Sequence, residues 1–312
     1  MLVNGKWQKA WHPVQAKDSK GRFLRQGSQF RNWITPNGSS GFRAEPGRYH
    51  LYVALICPWA SRTLMARSLK GLEDMIPVSI VEPFLGDEGW AFGDYPGAGA
   101  DSLNGTRFAH ELYTLADPLY SGRATVPILW DRINQTIVNN ESADIVRMFN
   151  SAFDHLGATG PDLYPEAMRP AIDALNARLY EQLNNGVYKA GFASSQLAYD
   201  EAVAGVFSML NELESRFHDG RSFLFGEEIT ETDIRLFVTL VRFDAAYFGL
   251  FKCNIARIAD YPHLSAYIER LMAIPGIAAS VNVDHIKAGY YSIKALNPSG
   301  IVPAGPALPW LA

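Results

Sequence analysis

The spacing of hydrophobic positions changes near residue 155. Before it, apolar residues come in short runs of strand length; after it, they recur every three or four residues. "YHLYVALI" (49–56) is nearly continuous, the pattern of a strand buried on both faces. "PWASRTLMARSLKGL" follows with helical spacing, Pro58 suiting a first helical position and Gly71 a C-terminal cap. "MIPVSIVEP" (75–83), "ATVPILWD" (124–131) and "INQTIVNN" (133–140) read as three more strands. "ESADIVRMFNSAF" (141–153) places Ile145, Met148 and Phe149 on one helical face. Between the second and third strands, 84–122 reads as a long irregular insert.

That order, β-α-β-(insert)-β-β-α, is the order of a thioredoxin-like domain. The second half carries no strand alternation. Met168, Ile172, Leu175, Leu179 and Leu183 repeat at helical spacing, as do Val203, Val206, Leu210, Leu213 and Phe217. Thr230 stands three residues before Asp233 ahead of an apolar run, an N-capping arrangement. "YPHLSAYIERLMAI" is one more helix. The expected fold is an α/β thioredoxin-like N-terminal domain followed by an all-α C-terminal domain. Its parts are an extension at 1–45, the thioredoxin-like domain at 46–155 with the insert at 84–122, and a helical domain at 156–312 with a Pro/Gly-rich tail. The extension carries Trp7, Trp11, Phe23, Phe30 and Trp33, too many rings for a free tail, so it is expected to wrap over a domain.

Composition narrows the class. Apolar residues make up 48% of the 312, enough for a full core, and the net charge of −4 argues against a nucleic-acid partner. No apolar run approaches a membrane span, and "MLVNGKWQKAWH" lacks the apolar centre of a secretory signal. Two cysteines, Cys57 and Cys253, do not make a disulfide framework. A cytoplasmic, thiol-containing protein is expected.

Cys57 ends the first strand and opens the first helix. Free N–H groups and the helix dipole favour an anion there, which raises the thiolate fraction of a cysteine. Ala60 stands where a Cys-x-x-Cys partner would be, so an external thiol would have to resolve any disulfide formed. Read alone, Cys57 also fits a buried structural cysteine. "TVPILWD" opens a strand with Val-Pro, which suits a cis peptide exposing backbone groups to an extended thiol peptide; a trans edge proline is the commoner arrangement. "NNES" sets Glu141 and Ser142 at a helix start, where they could hold an amino group and a carboxylate, or simply cap the helix. The three signals, in this order, reinforce one another.

"CPWA", "TVPILWD" and "IVNNESADIVRMF", followed by a helical domain, resemble the glutathione transferase superfamily. "EGWAF", "ADPLYSGRATVPILWD", "NNGVYKAGFA", "RFDAAYF", "HIKAGYY" and "NPSGIVPAGP" resemble its xi class, the glutathionyl-hydroquinone reductases, over nearly the whole chain. The chain departs from that pattern at Gly289, where the family often has His before the paired tyrosines. The resemblance implies Cys57 as the nucleophile and Tyr188 as the proton donor, with Tyr247 and Tyr290 near the thiol; Tyr291 competes with Tyr290 for that place. It further implies that Trp90 flanks glutathione, that Arg123, Ala124, Thr125 and Val126 hold its peptide part, and that Glu141 and Ser142 hold its γ-glutamyl end. Glutathione would be co-substrate, a glutathionyl-hydroquinone the substrate, and the protein a homodimer without a metal.

Rival functions are a glutathione-dependent thioltransferase or dehydroascorbate reductase of the omega type, a non-catalytic binding module on the same scaffold, and a conjugating transferase. The last needs a hydroxyl rather than a thiol at position 57. Cys253 lacks a helix start and reads as structural. The seven histidines show no His-x-x-x-His spacing, and His285 reads as a local hydrogen-bonding residue.

Overall fold

The apolar run at 49–56 forms the central strand of a four-stranded sheet in the computed structural model, which describes residues 1–9 and 16–311, the Leu311 side chain excepted. Trp11 lies outside the described residues. The strands are β1 (Tyr49–Val53), β2 (Val78–Ile80), β3 (Ile128–Asp131) and β4 (Thr136–Asn139), in spatial order β4-β3-β1-β2. Strand β2 runs parallel to β1, with Leu51 opposite Val78; β3 runs antiparallel to it, with Leu51 opposite Leu129. All five β1 residues are buried because both sheet faces are covered. Tyr49 meets Phe153 edge-on at 6.3 Å, on the face where α1 (Pro58–Leu69) packs against α3 (Ser142–Ser151). Tyr52, Ile128, Trp130 and Ile137 turn the other way, into a cluster with Ala109, Leu112 and Tyr113.

Those last three belong to α2 (Ala109–Ala116), which corrects the reading of 84–122 as irregular throughout. The helix is only eight residues long and sits among turn-forming residues, so its period is too short to stand out. Its start is nonetheless encoded: the Glu111 carboxylate accepts the backbone N–H groups of Arg107 (2.8 Å) and Phe108 (3.4 Å). The insert also holds a two-residue ladder, Leu85–Gly86 against Gly89–Trp90. Buried Asp101 pins the insert to the sheet, accepting from the Tyr52 hydroxyl at 2.9 Å and from the backbone of Leu103, Asn104 and Thr106.

The chain divides into two units. The first comprises Met1–Pro13, Ser28–Gly160 and Asp284–Gly289; the second comprises Val14–Gly27, Pro161–Val283 and Tyr290–Ala312. In the first unit the N-terminal segment pairs with distant chain: Leu2 exchanges backbone hydrogen bonds with Gly122, and the Phe30 carbonyl accepts Asn140 N while Phe30 N donates to the Asn140 side chain. In the second, Phe23 is buried and its ring lies 6.0 Å from Phe192. Trp33 departs from the wrapped pattern, being 38% exposed.

The second unit is helical: α4 (Arg169–Leu179), α5 (Gly186–Gly191), α6 (Gln196–Arg216), α7 (Glu231–Arg242) and α8 (Pro262–Met272). Ile172, Leu175, Leu179 and Leu183 are buried as their spacing predicts, whereas Met168 is 37% exposed because it lies in a 3-10 turn before α4. At the start of α7, Thr230 and Asp233 form the expected capping box. A further helix, α9 (Val283–Tyr291), which the spacing of "HIKAGYY" does not announce, belongs in part to each unit.

Candidate active site

Cys57 is the N-cap of α1, with extended backbone (φ −78, ψ 116), and Pro58 takes the first helical position. Its side chain makes no capping hydrogen bond, so the sulfur is not spent on holding the helix. The thiol is partly exposed and lies 3.7 Å from the carbonyl oxygen of Val126. The Val126–Pro127 peptide is cis, and Pro127 precedes β3. Position 57 and the Val-Pro segment, 69 residues apart in sequence, are thus brought together.

Glu141 is the N-cap of α3, its carboxylate accepting from Ala143 N at 3.3 Å and from the Ser28 hydroxyl at 3.0 Å. Ser28 comes from the extension, a partner nothing in the local sequence announces. Ser142 follows at the first helical turn, and its Oγ is buried with no hydrogen-bond partner among the described residues. A buried hydroxyl costs free energy when unpaired, so a ligand acceptor at this helix start would relieve it. Trp90 and Ala124 both pack at the rim of the α2-side core. Arg123 is half-buried, and its carbonyl accepts the Tyr120 hydroxyl at 3.1 Å.

In the second unit three phenols form a chain. Tyr290 shares one hydrogen bond with Tyr188 (2.5 Å) and another with Tyr247 (2.8 Å). Tyr247 ends a π-helical turn, Phe243–Tyr247, that follows α7. Phe251 packs against all three rings at 5.2–5.6 Å between centroids. Burial, and then the neighbouring phenol of Tyr188, hold Tyr247 and Tyr290 well above the ordinary phenol range, so both keep their protons at neutral pH. Tyr290, not the half-buried Tyr291, is the residue in this chain.

Gly289 has a steric reason. A Cβ there would lie 2.4 Å from Ile56 Cδ1 and 2.4 Å from the Pro83 carbonyl oxygen, so a histidine side chain cannot fit without displacing α9. His285, on the same helix, bonds the Pro96 carbonyl at 2.7 Å through Nε2. Glu214, His218 and His263 cluster in the second unit, an arrangement that a search for His pairs misses, but Glu214 is engaged by the His263 and Leu264 N–H groups as a cap of α8.

Cys253 is fully buried, and burial pushes its thiol up to about 12. Iodoacetamide at pH 8 is therefore expected to add a single carbamidomethyl group to the native protein, on Cys57. Mass spectrometry finding two adducts before unfolding would contradict the burial of Cys253.

The arrangement of a thiol at a strand-helix junction beside a cis X-Pro segment has close relatives. Residues 56–152 match the family described as glutathione S-transferase, N-terminal domain, and residues 196–270 match its C-terminal domain. A glutathionyl-hydroquinone reductase of Sphingobium chlorophenolicum, PcpF, is 51% identical over 99% of this chain and 97% of its own length. The chain belongs to the glutathionyl-hydroquinone reductase family of glutathione transferases. The glutathione-bound structure of YqjG, a glutathione transferase homologue from Escherichia coli K-12, superposes with a TM-score of 0.91 at 49% identity, covering 99% of this chain and 97% of that one. The xi glutathione transferase of Phanerochaete chrysosporium gives 0.93 at 47% identity, over 98% of both chains. The expected fold, a thioredoxin-like domain followed by a helical one, is that of this transferase family. Among the described residues no helix is long and apolar enough to cross a membrane.

Proposed function

We propose that this chain reduces S-glutathionyl-hydroquinones to free hydroquinones, with glutathione as co-substrate. The observation that carries the reading is a cysteine, rather than a hydroxyl residue, at the α1 N-cap beside the Val126 carbonyl, in a chain of this family. Cys57 thiolate attacks the substrate sulfur. A sulfur–sulfur bond forms, the carbon–sulfur bond breaks, and its electron pair goes to the ring carbon, most easily when the ring reacts as its keto tautomer. That carbon takes a proton from Tyr188. A second glutathione thiolate attacks the Cys57–glutathione disulfide, releasing oxidised glutathione and regenerating Cys57. The net change consumes one thioether and one glutathione and yields one hydroquinone and one oxidised glutathione.

In this reading Trp90 flanks glutathione, Arg123 to Val126 hold its peptide part, Glu141 holds the amino group and Ser142 the carboxylate. The buried, unpartnered Ser142 hydroxyl supports the last role. Tyr290 and Tyr247, protonated and bonded in series to Tyr188, support a proton-donating role for the group and polarise the thiol or substrate oxygen. Dimerisation, a cytoplasmic setting and a division at 45/46 and 155/156 belong to the same proposal.

Turnover of a glutathionyl-hydroquinone with excess glutathione, followed with intact-mass analysis, tests it. Hydroquinone release with a glutathione adduct on Cys57 is expected; an adduct without turnover would favour the thioltransferase reading. Tyr188→Phe is expected to lower kcat by about tenfold to a hundredfold with little change in the KM for glutathione. Equal loss in binding and turnover would count against proton donation by Tyr188.

A further inference from the structure

Helix α2 has no part in the roles assigned above, yet it carries a hydroxyl bonded to both Thr125 and Asn140. Tyr113 is fully buried. Its hydroxyl donates to the Thr125 carbonyl oxygen at 2.8 Å, accepts the Thr125 backbone N–H at 3.1 Å, and accepts Asn140 Nδ2 at 3.0 Å. One phenol offers one donor and two lone pairs, so all its capacity is used.

The position explains the need. Strands β3 and β4 form a hairpin whose open end lies at Thr125–Pro127 and at Asn139–Glu141, and the ladder is irregular at Asn139. Pro127 has no N–H to continue the ladder. The Tyr113 hydroxyl binds both backbone groups of Thr125 where a strand neighbour would otherwise do so, and it holds the Asn140 side chain at the opposite edge. Asn140 is fixed from its other side by the extension, its Oδ1 accepting Phe30 N at 3.2 Å. Phe30 also meets the Tyr113 ring edge-on at 5.7 Å. Thr125 immediately precedes Val126, whose carbonyl faces the Cys57 sulfur, and Asn140 immediately precedes Glu141 and Ser142.

We propose that Tyr113 is a positioning residue of the glutathione cleft, its hydroxyl setting the spacing between the Arg123–Val126 segment and the Glu141–Ser142 helix start. The proposal rests on reading those two segments as glutathione-binding. Burial raises the phenol above its ordinary range, so it remains protonated and able to donate at working pH.

Tyr113→Phe removes the hydroxyl and keeps the ring. Calorimetric titration with S-methylglutathione, which cannot form a disulfide with Cys57, reads the cleft directly. About tenfold weaker binding is expected, the loss of roughly one well-made hydrogen bond in the complex. The KM for glutathione should rise in parallel, with kcat at saturating glutathione within about twofold. A lower melting temperature with unchanged affinity would make Tyr113 only a structural residue and overturn the proposal. Should Tyr113→Phe fail to fold, Asn140→Ala, which cuts one arm of the brace, must weaken S-methylglutathione binding, and unchanged affinity there overturns the proposal equally. Wild-type protein that binds S-methylglutathione but does not turn over a glutathionyl-hydroquinone would sink the proposed function and leave the brace standing. Wild-type protein that binds neither would sink both.

Discussion

Cys57→Ser will lower turnover of a glutathionyl-hydroquinone by at least about a thousandfold, and the protein will carry no glutathione adduct. In the proposed cycle both half-reactions pass through a sulfur–sulfur bond to Cys57, which a hydroxyl cannot form, so the cycle would stop at its first step. The variant is informative because its stability should not fall. Cys57 is an N-cap whose side chain caps nothing, and serine is among the best N-cap residues. The thermal midpoint is expected to stay level or rise slightly. Loss of turnover can then be assigned to chemistry rather than unfolding. Residual turnover above about one percent would mean that glutathione itself attacks the substrate and that Cys57 is a bystander. Cys57→Ala should be equally inactive but slightly less stable than Cys57→Ser, since alanine is a poor N-cap.

The largest effect on stability is expected in the second unit. Asp233 is fully buried, and its carboxylate accepts four hydrogen bonds: Leu224 N (2.9 Å), the Tyr267 hydroxyl (2.8 Å), Thr230 N (2.8 Å) and the Thr230 hydroxyl (2.9 Å). It therefore joins the start of α7, the preceding loop and α8. Asp233→Ala leaves several buried donors unpaired at once, which costs about 3–5 kcal/mol. Urea unfolding followed by circular dichroism should show the midpoint falling by the corresponding amount with the slope unchanged. Thr230→Ala removes one of the four bonds and should cost about 1 kcal/mol. A loss under 1 kcal/mol for Asp233→Ala would show that water or a neighbouring side chain replaces the carboxylate.

How far the sequence carried the fold depended on how local each signal is. The Thr230–Asp233 cap, Pro58 at a helix start and Glu141–Ser142 at another are adjacent or one turn apart, so residue types alone announce them. The buried run at 49–56 is equally plain, because a strand covered on both faces needs no polar alternation. Helix α2 was hidden by its shortness and by the turn residues on either side. Tyr113 and Ser28 could not be found by reading along the chain: each acts on a segment about a dozen to more than a hundred residues away, and neither sits in a spacing that signals its partner. The tyrosine chain stands between these cases. No pattern within "NNGVYKAG", "FDAAYF" or "KAGYY" singles out a phenol, and it was the family resemblance that pointed to Tyr188, Tyr247 and Tyr290. Gly289 reads as a departure from that family until the space behind it is seen.

The placement of Gly289 against Ile56 and Pro83 also bears on how the protein is made. Residues 284–289 complete the first unit but are synthesised after nearly all of the second. Some two hundred residues separate Pro83 from Gly289, which at ribosomal speed is on the order of ten seconds or more. Through that interval the apolar side chain of Ile56, next to Cys57, waits without the helix that packs on it. The first unit is therefore completed only after most of the second has been made, and a chain stalled before residue 284 would lack the segment that packs on Ile56, the residue before Cys57.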